Sequence, residues 1–329
     1  METTANLNGD SRVCIIGAGP AGLSMARSLV SKGFECDVFE KHSDVGGIWD
    51  PQNPGSPIYK SAHFISSKTL SAYYDYPMPA DYPDYPSNEQ ILAYHRAFAR
   101  EFDLYRHIQF STRVLSIEEQ PDSGDPNTRW TVNFEGPGDG APQTRRYAAV
   151  VCASGITWDP IMPDLVGAES FTGGIIHSVE YQSADLFRGK RVLDIGAGSS
   201  GCDIACDAGH SADAAFISVR RGYYFIPKHV FGQPADVFGE SSNWMPTWLS
   251  QLSLGFLLRL MVGDLRKVGL PKPDHRVFES HPIMNDQLIH NLRHGDVRAK
   301  GDIARLDGDF VEFKDGSRER VDLLVCATG

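Results

Sequence analysis

The spacing of hydrophobic residues changes from strand-like to helix-like early in the chain. A run rich in β-branched residues covers residues 12–16, and apolar residues then recur at helical spacing over residues 20–32, before Gly33. The first pattern is typical of a buried parallel strand and the second of an amphipathic helix. A second apolar run follows at residues 36–40. We therefore predict a strand, helix, strand unit at the start of the chain.

The same succession of patterns returns past the middle of the chain. Residues 191–195 predict a strand, residues 199–208 a helix that Gly209 ends, and residues 214–219 the next strand. Between the two units, residues 87–101 predict a helix that opens with a capping box. The repetition predicts two equivalent strand, helix, strand units in one chain.

Both predicted turns between strand and helix carry the pattern Gly-x-Gly-x-x-Gly. In a dinucleotide-binding turn the first glycine permits the tight bend, the second lets backbone N–H groups approach a pyrophosphate, and the third lets the helix pack on the strand. The positive end of the helix then favours the anion. We therefore predict two dinucleotide sites. Their candidate contact residues are Gly17, Gly19, Pro20, Ala21 and Gly22 in the first turn, and Gly196, Gly198, Ser199, Ser200 and Gly201 in the second.

The charge that follows each second strand predicts which nucleotide each turn binds. Glu40 stands 23 residues after Gly17, close to the spacing of about 20 residues expected for a carboxylate that accepts from a ribose 2′-OH. A 2′-phosphate would be repelled there, so the first site predicts FAD or NAD. The second unit has Arg220 and Arg221 instead. A guanidinium pairs with a 2′-phosphate, so the second site predicts NADP.

Composition and charge narrow the class of protein. A chain of 329 residues with 41% hydrophobic residues can bury two cores, which agrees with two nucleotide-binding domains. The net charge of −11 gives no general attraction to nucleic acid or anionic lipid. Residues 1–10 contain no apolar run and no Lys or Arg, so we expect no secretory signal and a cytoplasmic protein.

The six cysteines lie mostly inside apolar strand or helix patterns, which favours reduced, buried thiols. Cys202 and Cys206 are one helical turn apart, but no further ligand is placed to complete a metal site, so we expect no metal. No closely spaced cysteine pair follows Glu40, which disfavours a dithiol flavin reductase.

The longest apolar stretch, residues 248–262, is interrupted by polar residues and is too short to span a bilayer. It predicts an amphipathic helix packed on the second domain. Because Trp248, Leu252, Phe256 and Leu260 share one face, an interfacial or lid helix remains the alternative. Other short apolar runs predict strands at residues 130–134, 147–152, 309–313 and 320–325, the last two as a hairpin-like pair.

Four further motifs accompany the two glycine-rich turns. Gly-Gly-Ile-Trp stands at residues 46–49, and residues 171–181 fit the pattern F-x-G-x-x-x-H-x-x-x-(Y/F) at every fixed position. Residues 60–68 carry a Lys-Ser-Ala-His to Ser-Lys segment that precedes an aromatic and proline-rich run at residues 74–86. The pattern D-x4-A-T-G covers residues 322–329. Together, over the whole chain, these motifs resemble the flavin-containing monooxygenases.

The resemblance implies an α/β fold with two Rossmann-like dinucleotide-binding domains, in which an NADP domain is inserted into an FAD domain. We expect the first part of the FAD domain in residues 1–160, the NADP domain in residues 161–320 with a helical insertion at about 232–272, and a return strand to the FAD domain in residues 321–329. Members of the family continue past this point, so we expect the chain to be truncated and to bind FAD less completely.

The resemblance also implies site residues beyond the two turns. The segment at residues 60–68 is similar to one that lies over the flavin in these enzymes, and the position of an Asn that contacts the flavin and NADP is Ile65 here. Ile65 and Ser66 are therefore the flavin-facing candidates, and no catalytic residue is assigned. Besides Glu40, further FAD contacts are expected at Lys41, Gly47, Ile48, Trp49, His63 and Val114.

The implied activity is that of an FAD-containing monooxygenase that depends on NADPH and O2. NADPH passes a hydride to FAD, oxygen adds to the reduced flavin, and the resulting C4a-hydroperoxide oxygenates a nitrogen or sulfur centre of a small molecule, as in N,N-dimethylaniline monooxygenase-like activity. Tyr181 favours this heteroatom-oxidising branch, because Baeyer-Villiger relatives carry Trp at that position.

Two other functions remain open at this point. Ile65 cannot donate a hydrogen bond, which predicts an NADPH oxidase that releases hydrogen peroxide unless Ser66 and bound NADP do the work of the family's Asn. A truncated chain could instead be a non-catalytic fragment that binds FAD or NADP. The sequence predicts no oligomeric state.

Overall fold

The computed structural model describes residues 11–121, 125–138, 140–240 and 245–329; the expected absence of a leader concerns residues 1–10, which lie outside the described residues. The α-helices are α1 (Pro20–Ser31), α2 (Lys68–Ser71), α3 (Asn88–Glu101), α4 (Ser199–Ser211), α5 (Ala235–Glu240), α6 (Thr247–Met261) and α7 (Gln287–His294). Short 3-10 helices cover Gly47–Trp49, Leu104–His107, Pro126–Thr128, Ala168–Ser170, Ser178–Glu180, Ala184–Phe187 and Leu265–Val268.

The strands are short and numerous. The first seven along the chain are β1 (Arg12–Ile16), β2 (Glu35–Phe39), β3 (Ile108–Gln109), β4 (Arg113–Glu119), β5 (Trp130–Glu135), β6 (Gln143–Tyr147) and β7 (Ala149–Cys152). The others are β8 (Gly174–His177), β9 (Arg191–Ile195), β10 (Ala214–Ser218), β11 (Phe225–Ile226), β12 (His229–Val230), β13 (Gln233–Pro234), β14 (Ile283–Met284), β15 (Val297–Lys300), β16 (Ile303–Asp307), β17 (Phe310–Phe313), β18 (Arg318–Arg320) and β19 (Leu323–Cys326).

The chain divides into two compact units that interleave along the sequence. The first comprises Met1–Ile58, Tyr73–Met78 and Asn88–Trp158, and the second comprises Tyr59–Ala72, Pro79–Ser87 and Asp159–Gly329. Two segments that we expected in the FAD domain, residues 59–72 and 79–87, thus belong to the second unit. One physical reason is that the Lys60 N–H donates to the carbonyl oxygen of Gln182, at 2.9 Å, in that unit.

A four-stranded parallel sheet, in the order β3-β2-β1-β7, forms the centre of the first unit. The predicted strand at residues 12–16 is β1, and its register pairs Ile16 with Phe39 at the end of β2. Helix α1 packs Leu23 into the same core as Ile15. Because both faces of a parallel sheet are covered, its strands are nearly continuous apolar runs, which is why the sequence predicted them.

An antiparallel sheet of β4, β5 and β6 completes the first unit. Phe134 on β5 stacks on Phe39 with ring centroids 4.4 Å apart. The single strand predicted at residues 147–152 was wrong, because the chain passes from one sheet to the other at Ala148. Tyr147 ends β6, and its hydroxyl donates to the Asp37 carboxylate at 2.8 Å.

A five-stranded parallel sheet, in the order β15-β10-β9-β19-β8, forms the centre of the second unit. Strand β19 is an inner strand: Leu324 pairs with Leu193 on one side and with Ile175 on the other. The strand that we expected to return to the FAD domain therefore belongs to this sheet, as its four fully buried residues require. The hairpin partner of β17 is β18 instead. The α/β class with two parallel-sheet units is confirmed.

Helix α4 runs through the glycine that we expected to end it. A Cβ at Gly209 would lie 2.8 Å from Cγ2 of Val297 on β15. The glycine therefore permits close packing of the helix on the sheet, and the helix continues to Ser211. A glycine within a helical pattern can serve packing as well as termination.

The predicted helix at residues 248–262 is α6, and the apolar face that raised the alternative of an interfacial or lid helix is exposed. Trp248, Leu252, Phe256 and Leu260 are 64–68% exposed, whereas Leu258 on another face is buried. In the part of the chain that the structure describes, no helix is both long and apolar enough to cross a membrane.

Asp194 lies in the middle of β9 and is fully buried. Neither carboxylate oxygen has a well-formed hydrogen bond to any described residue. Burial raises the pKa of Asp194 well above its usual range, and the backbone N–H of Ile195 lowers it less. A buried polar group without partners destabilises the folded state.

We expect the Asp194→Val variant to be more stable than the parent by about 2 kcal/mol at pH 7, because it removes two desolvated oxygens. The folded-state pKa lies above the unfolded value of about 3.9. The parent therefore loses stability as pH rises from that value through the folded-state pKa, so the difference should grow with pH. Urea unfolding at several pH values measures it.

Asp194→Asn is the control for this prediction. It removes the titratable proton but keeps the polar atoms, so we expect a flatter pH dependence with a smaller gain in stability. A Val variant that is less stable than the parent at high pH would contradict the interpretation.

Candidate dinucleotide-binding sites

The two glycine-rich turns lie at equivalent places in the two parallel sheets. The Gly17 N–H donates to the carbonyl oxygen of Phe39 at 2.8 Å, and the Gly196 N–H donates to that of Ser218 at 3.1 Å. Each turn thus leaves the carboxyl end of its first strand beside the end of the second. This is the crevice where open α/β sheets bind nucleotides.

The first and third glycines of each turn are required by the protein itself. Gly17 has φ +103°, and a Cβ at Gly22 would lie 1.9 Å from the carbonyl oxygen of Gly17. In the second turn Gly196 has φ +115°, and a Cβ at Gly201 would lie 2.2 Å from the Gly196 oxygen. These contacts bring helix and strand together and fix the path of the turn.

The middle glycine of the second turn leaves open space instead. A Cβ at Gly198 would meet no heavy atom of the described residues within 4 Å. Helices α1 and α4 begin just after Gly19 and Gly198, and no described side chain caps either N-terminus. The N–H groups in the first turn of each helix therefore have no side-chain cap and are available to an anion such as a pyrophosphate, and at Gly198 there is open space beside them.

Glu40 follows β2 directly and is only 4% exposed. Its Oε2 accepts from the Ala18 N–H at 2.6 Å, inside the turn, and its Oε1 accepts from the His42 N–H at 2.8 Å. Each oxygen keeps a lone pair for a ribose hydroxyl. The carboxylate is thus fixed beside the first turn, where the sequence placed it.

The Gly-Gly-Ile-Trp motif also approaches the first turn. The Gly46 N–H donates to the Ala18 oxygen at 3.1 Å, and a Cβ at Gly47 would lie 3.0 Å from the Cα of Gly19. Ile48 and Trp49 belong to the 3-10 helix that begins at Gly47. The structure thus brings this motif and the first turn together.

Two other FAD candidates lie elsewhere in the first unit. Lys41 is exposed, and its Nζ lies 3.9 Å from the ring centroid of Trp158. Val114 lies on β4, where it pairs with Phe134. The contacts of neither residue test its proposed role toward FAD.

Arg220 lies one residue beyond the position that matches Glu40. The Glu40 N–H donates to the carbonyl oxygen of Gln109 at 3.0 Å, and the equivalent bond in the second unit joins Val219 to Lys300 at 2.9 Å. The match by register is therefore Val219, and Arg220 is the next residue. Its side chain is exposed and makes no hydrogen bond or ion pair with a described residue.

Arg221 is held by its neighbours. Its Nε donates to the Tyr223 hydroxyl at 3.0 Å, its Nη2 lies 3.5 Å from Oγ of Ser280, and its guanidinium lies over the Tyr223 ring. Of the two arginines, Arg220 is the one whose guanidinium is available to a 2′-phosphate.

His63, Ile65 and Ser66 belong to the second unit rather than to the unit that carries Glu40. The Nδ1 of His63 lies 2.9 Å from the Ser61 oxygen, and Ser66 shares a hydrogen bond with the Ser71 hydroxyl at 2.7 Å. Ile65 is 42% exposed. His63 thus belongs to a different unit from the other FAD candidates, and its contacts do not test its proposed role toward FAD.

A cluster of side chains that we did not predict joins the segment at residues 60–68 to helix α4. We call Tyr59, Ser61, Tyr181, Asp203 and Asp207 the tyrosine–carboxylate cluster. Tyr59 donates to Oδ2 of Asp203 at 2.9 Å, and Tyr181 donates to Oδ2 of Asp207 at 2.7 Å. Ser61 donates to the same Asp207 oxygen. The sequence signal that could have indicated this cluster was the pair of acids Asp203 and Asp207, four residues apart in an otherwise largely apolar helix pattern.

Burial dominates the electrostatics of this cluster. It raises the pKa of Tyr59 and Tyr181, and the neighbouring carboxylates raise both further. Burial also raises the pKa of Asp203, while the Tyr59 hydrogen bond lowers it. Both phenols therefore stay protonated and act as donors at neutral pH.

The histidine of the pattern at residues 171–181, His177, lies in a compact turn with Glu180. His177 accepts from the Val179 N–H through Nδ1 at 3.2 Å, and the Glu180 carboxylate accepts from the His177 N–H at 2.9 Å. This reciprocal capping box ends β8 and directs Tyr181 into the core, where it stacks on Phe187 at 4.9 Å. Among the described residues, no group of three or more His, Cys, Asp or Glu is placed to hold a metal.

The Gly198→Ala variant should fold normally and bind NADP+ weakly. The backbone at Gly198, with φ −71° and ψ 179°, suits any residue, but the added methyl would occupy the space beside the helix N-terminus. We expect a dissociation constant about tenfold higher by calorimetry, with the free energy of unfolding changed by less than about 0.5 kcal/mol.

Gly201→Ala is the matched control, because its methyl meets the protein instead of the open space. We expect it to lower the free energy of unfolding by about 2 kcal/mol. If Gly198→Ala were the less stable of the two, the assignment of the open space to a ligand would be wrong.

The Arg220→Ala variant should lose affinity for NADP+ and keep its affinity for NAD+. Removing a charge-assisted hydrogen bond to the 2′-phosphate costs about 1.5–3 kcal/mol, or about 10- to 100-fold in dissociation constant. Arg221→Ala, the control, should change the constant by less than about threefold, since that guanidinium has protein partners. Equal losses for NADP+ and NAD+ would refute the role of Arg220.

Comparison with known proteins shows similarity to one family over nearly the whole chain. Residues 10–329 match the family model described as flavin-binding monooxygenase-like. The chain is 34% identical over 331 residues to human flavin-containing monooxygenase 5, covering 97% of this chain and 61% of that protein. The chain therefore spans about three-fifths of the length of the curated relatives that it matches.

Solved structures share the fold at lower sequence identity. Steroid monooxygenase bound to NADP superposes with a TM-score of 0.74 at 23% identity, covering 97% of this chain and 71% of that one. The S-allyl-L-cysteine S-oxygenase of Allium sativum superposes with a TM-score of 0.67 at 23% identity, covering 97% and 62%. Because the family model matches residues 10–329, nearly the whole chain, the chain belongs to the flavin-binding monooxygenase-like family.

Proposed function

We propose that this protein uses FAD, NADPH and O2 to oxygenate nitrogen or sulfur centres of small molecules. One observation carries the proposal: two equivalent glycine-rich turns in one chain are each followed by a second strand with a charge at its end, Glu40 in the first unit and Arg220 in the second, and these charges are opposite. Such a pair suits an unphosphorylated adenosine and a 2′-phosphorylated one. Membership of a flavin-binding family supports FAD as the first.

The residues of the first unit fit an FAD. The N–H groups that open α1 would bind the pyrophosphate, and the Glu40 carboxylate would accept from the ribose hydroxyls. The Gly47–Trp49 segment lies against the same turn. FAD, once bound and reduced, supplies the chemistry that activates oxygen.

The residues of the second unit fit an NADPH. The N–H groups that open α4 would bind the pyrophosphate, the space at Gly198 would admit it, and Arg220 would pair with the 2′-phosphate. The overall balance takes two electrons from NADPH, gives one oxygen atom of O2 to the substrate and releases the other as water. We assign residues 1–160 to the FAD domain, except for residues 59–72 and 79–87. We assign residues 161–320, together with those two segments and β19, to the NADP domain.

The substrate class rests on the family branch. The pattern at residues 171–181 ends in Tyr181. The relatives include a mouse protein named dimethylaniline monooxygenase [N-oxide-forming] 2 and an S-oxygenase. A nucleophilic nitrogen or sulfur needs no general base from the protein, which agrees with a chain in which no Ser-His-Asp set or paired carboxylates stood out from the sequence.

A second function is favoured by Ile65. The Ile65 side chain is apolar and 42% exposed at the position where the family carries an Asn. If that Asn helps to retain activated oxygen, its loss favours release of hydrogen peroxide. The protein would then act as an NADPH oxidase.

One experiment separates these functions. The purified chain is mixed with FAD, NADPH and either a tertiary amine or a thioether, and we measure NADPH oxidation, hydrogen peroxide and oxygenated product labelled from 18O2. We expect labelled N-oxide or sulfoxide. In Ile65→Asn the share of NADPH that yields peroxide should fall about twofold, because the amide adds a donor.

Ile65→Leu is the control, because it keeps an apolar side chain and should leave the peroxide share unchanged. Peroxide equal to NADPH consumed, without product, would leave only the oxidase function. A chain that takes up no FAD and oxidises no NADPH would be a non-catalytic fragment.

A further inference from the structure

The tyrosine–carboxylate cluster joins the backbone of residues 59–67 to the helix that carries the second glycine-rich turn. Tyr59 binds Asp203, and Ser61 binds Asp207 one helical turn further on. The Lys60 N–H donates to the Gln182 oxygen at 2.9 Å, directly after Tyr181. Tyr59 and Ser61 are therefore bound by α4, and Lys60 between them is bound by the residue that follows the pattern at residues 171–181.

Each carboxylate of the cluster has a second partner that orients it. Oδ1 of Asp203 accepts from Nδ2 of Asn285 at 2.8 Å, and Oδ1 of Asn285 in turn accepts from the Leu288 N–H, near the start of α7, at 2.8 Å. Oδ2 of Asp207 accepts from both Ser61 and Tyr181. The carboxylates are thus held in one orientation, and the segment that they bind is held with them.

The cluster also reaches the candidate phosphate site. Ser200 is the second residue of α4 and part of the glycine-rich turn, and its side chain lowers the pKa of the Tyr59 phenol. The hydrogen bond of that phenol goes to Asp203, about one turn of helix further on. The next residues along the chain from Tyr59 lead to His63, Ile65 and Ser66.

We propose that the tyrosine–carboxylate cluster couples NADP binding at α4 to the order of residues 59–67, with Tyr59 as the positioning residue. The inference rests on the proposed NADP site, and it does not depend on oxygenation. It goes beyond the proposed function because it assigns a role to side chains that touch neither the cofactor nor a substrate.

The physical argument starts from the uncapped end of α4. No described side chain caps the first turn of this helix, so its N–H groups have no side-chain partner there. A pyrophosphate bound there would order the start of the helix, including Ser200 and Asp203. Because Tyr59 donates to Asp203, part of the ordering cost of the segment is already met once the dinucleotide is bound. By linkage, an ordered segment strengthens dinucleotide binding by the same factor.

Hydrogen exchange of the full chain tests the coupling. The Lys60, Ala62 and Phe64 N–H groups are hydrogen-bonded within the second unit and report local opening of the segment. Saturating NADP+ should slow their exchange about fivefold in the parent. In Tyr59→Phe, which keeps the ring, this protection should vanish, and the dissociation constant for NADP+ by calorimetry should rise about threefold.

Tyr85→Phe is the matched control. Tyr85 is equally buried in the same unit, and its hydroxyl donates to the Lys228 oxygen rather than to a carboxylate on α4. It should keep both the protection and the affinity. If Tyr59 had only a structural role, Tyr59→Phe would lower stability as Tyr85→Phe does, and NADP+ would still slow the exchange of residues 60–64.

The outcomes separate this inference from the proposed function. If the parent binds no NADP+, both are overturned. If the parent binds NADP+ and residues 60–64 exchange at an unchanged rate, the coupling is wrong and the NADP site stands. The comparison of the parent with and without NADP+ needs no variant, so it tests the coupling even if Tyr59→Phe fails to fold. In that case Asp203→Asn serves as the second variant.

Discussion

The close approach of a helix to the carbonyl oxygen at the start of each glycine-rich turn is the constraint on which both sites depend. In each unit the third glycine lies so near the first that a Cβ would fall within 2.2 Å of its oxygen. This contact draws the helix N-terminus against the end of the first strand. The uncapped N–H groups of the helix then lie beside the second strand, where the discriminating charge stands.

The parts of the fold that depend on local pattern could be predicted from the sequence. Apolar runs predicted β1, β2, β9 and β10, and the glycine spacing predicted both turns, because a parallel strand and a dinucleotide turn each have a local signature. Tertiary pairing has none. Strand β19 follows a hairpin in sequence and yet pairs with β9 and β8, and nothing in residues 320–325 distinguishes those partners.

The candidate sites show the same division. Glu40 was found from its spacing, because the residue after a strand has a fixed place relative to the turn. Arg220 was found as a charge, but only the register showed that Val219 occupies the matching position. Asp203 and Tyr59 were missed because their relation joins residues 144 apart in sequence. Gly209 was misinterpreted because packing against Val297 is invisible in a helical pattern.

Chemistry that resides in a cofactor changes what the protein must supply. Where no side chain has to act as nucleophile or base, selectivity follows from what holds the reacting groups and what excludes water. In the second unit the buried phenols of Tyr59 and Tyr181 are held by carboxylates on α4, whereas Ile65 is 42% exposed. Positions that tune the reaction should therefore include residues that hold a segment still, and a search confined to reactive side chains would miss them.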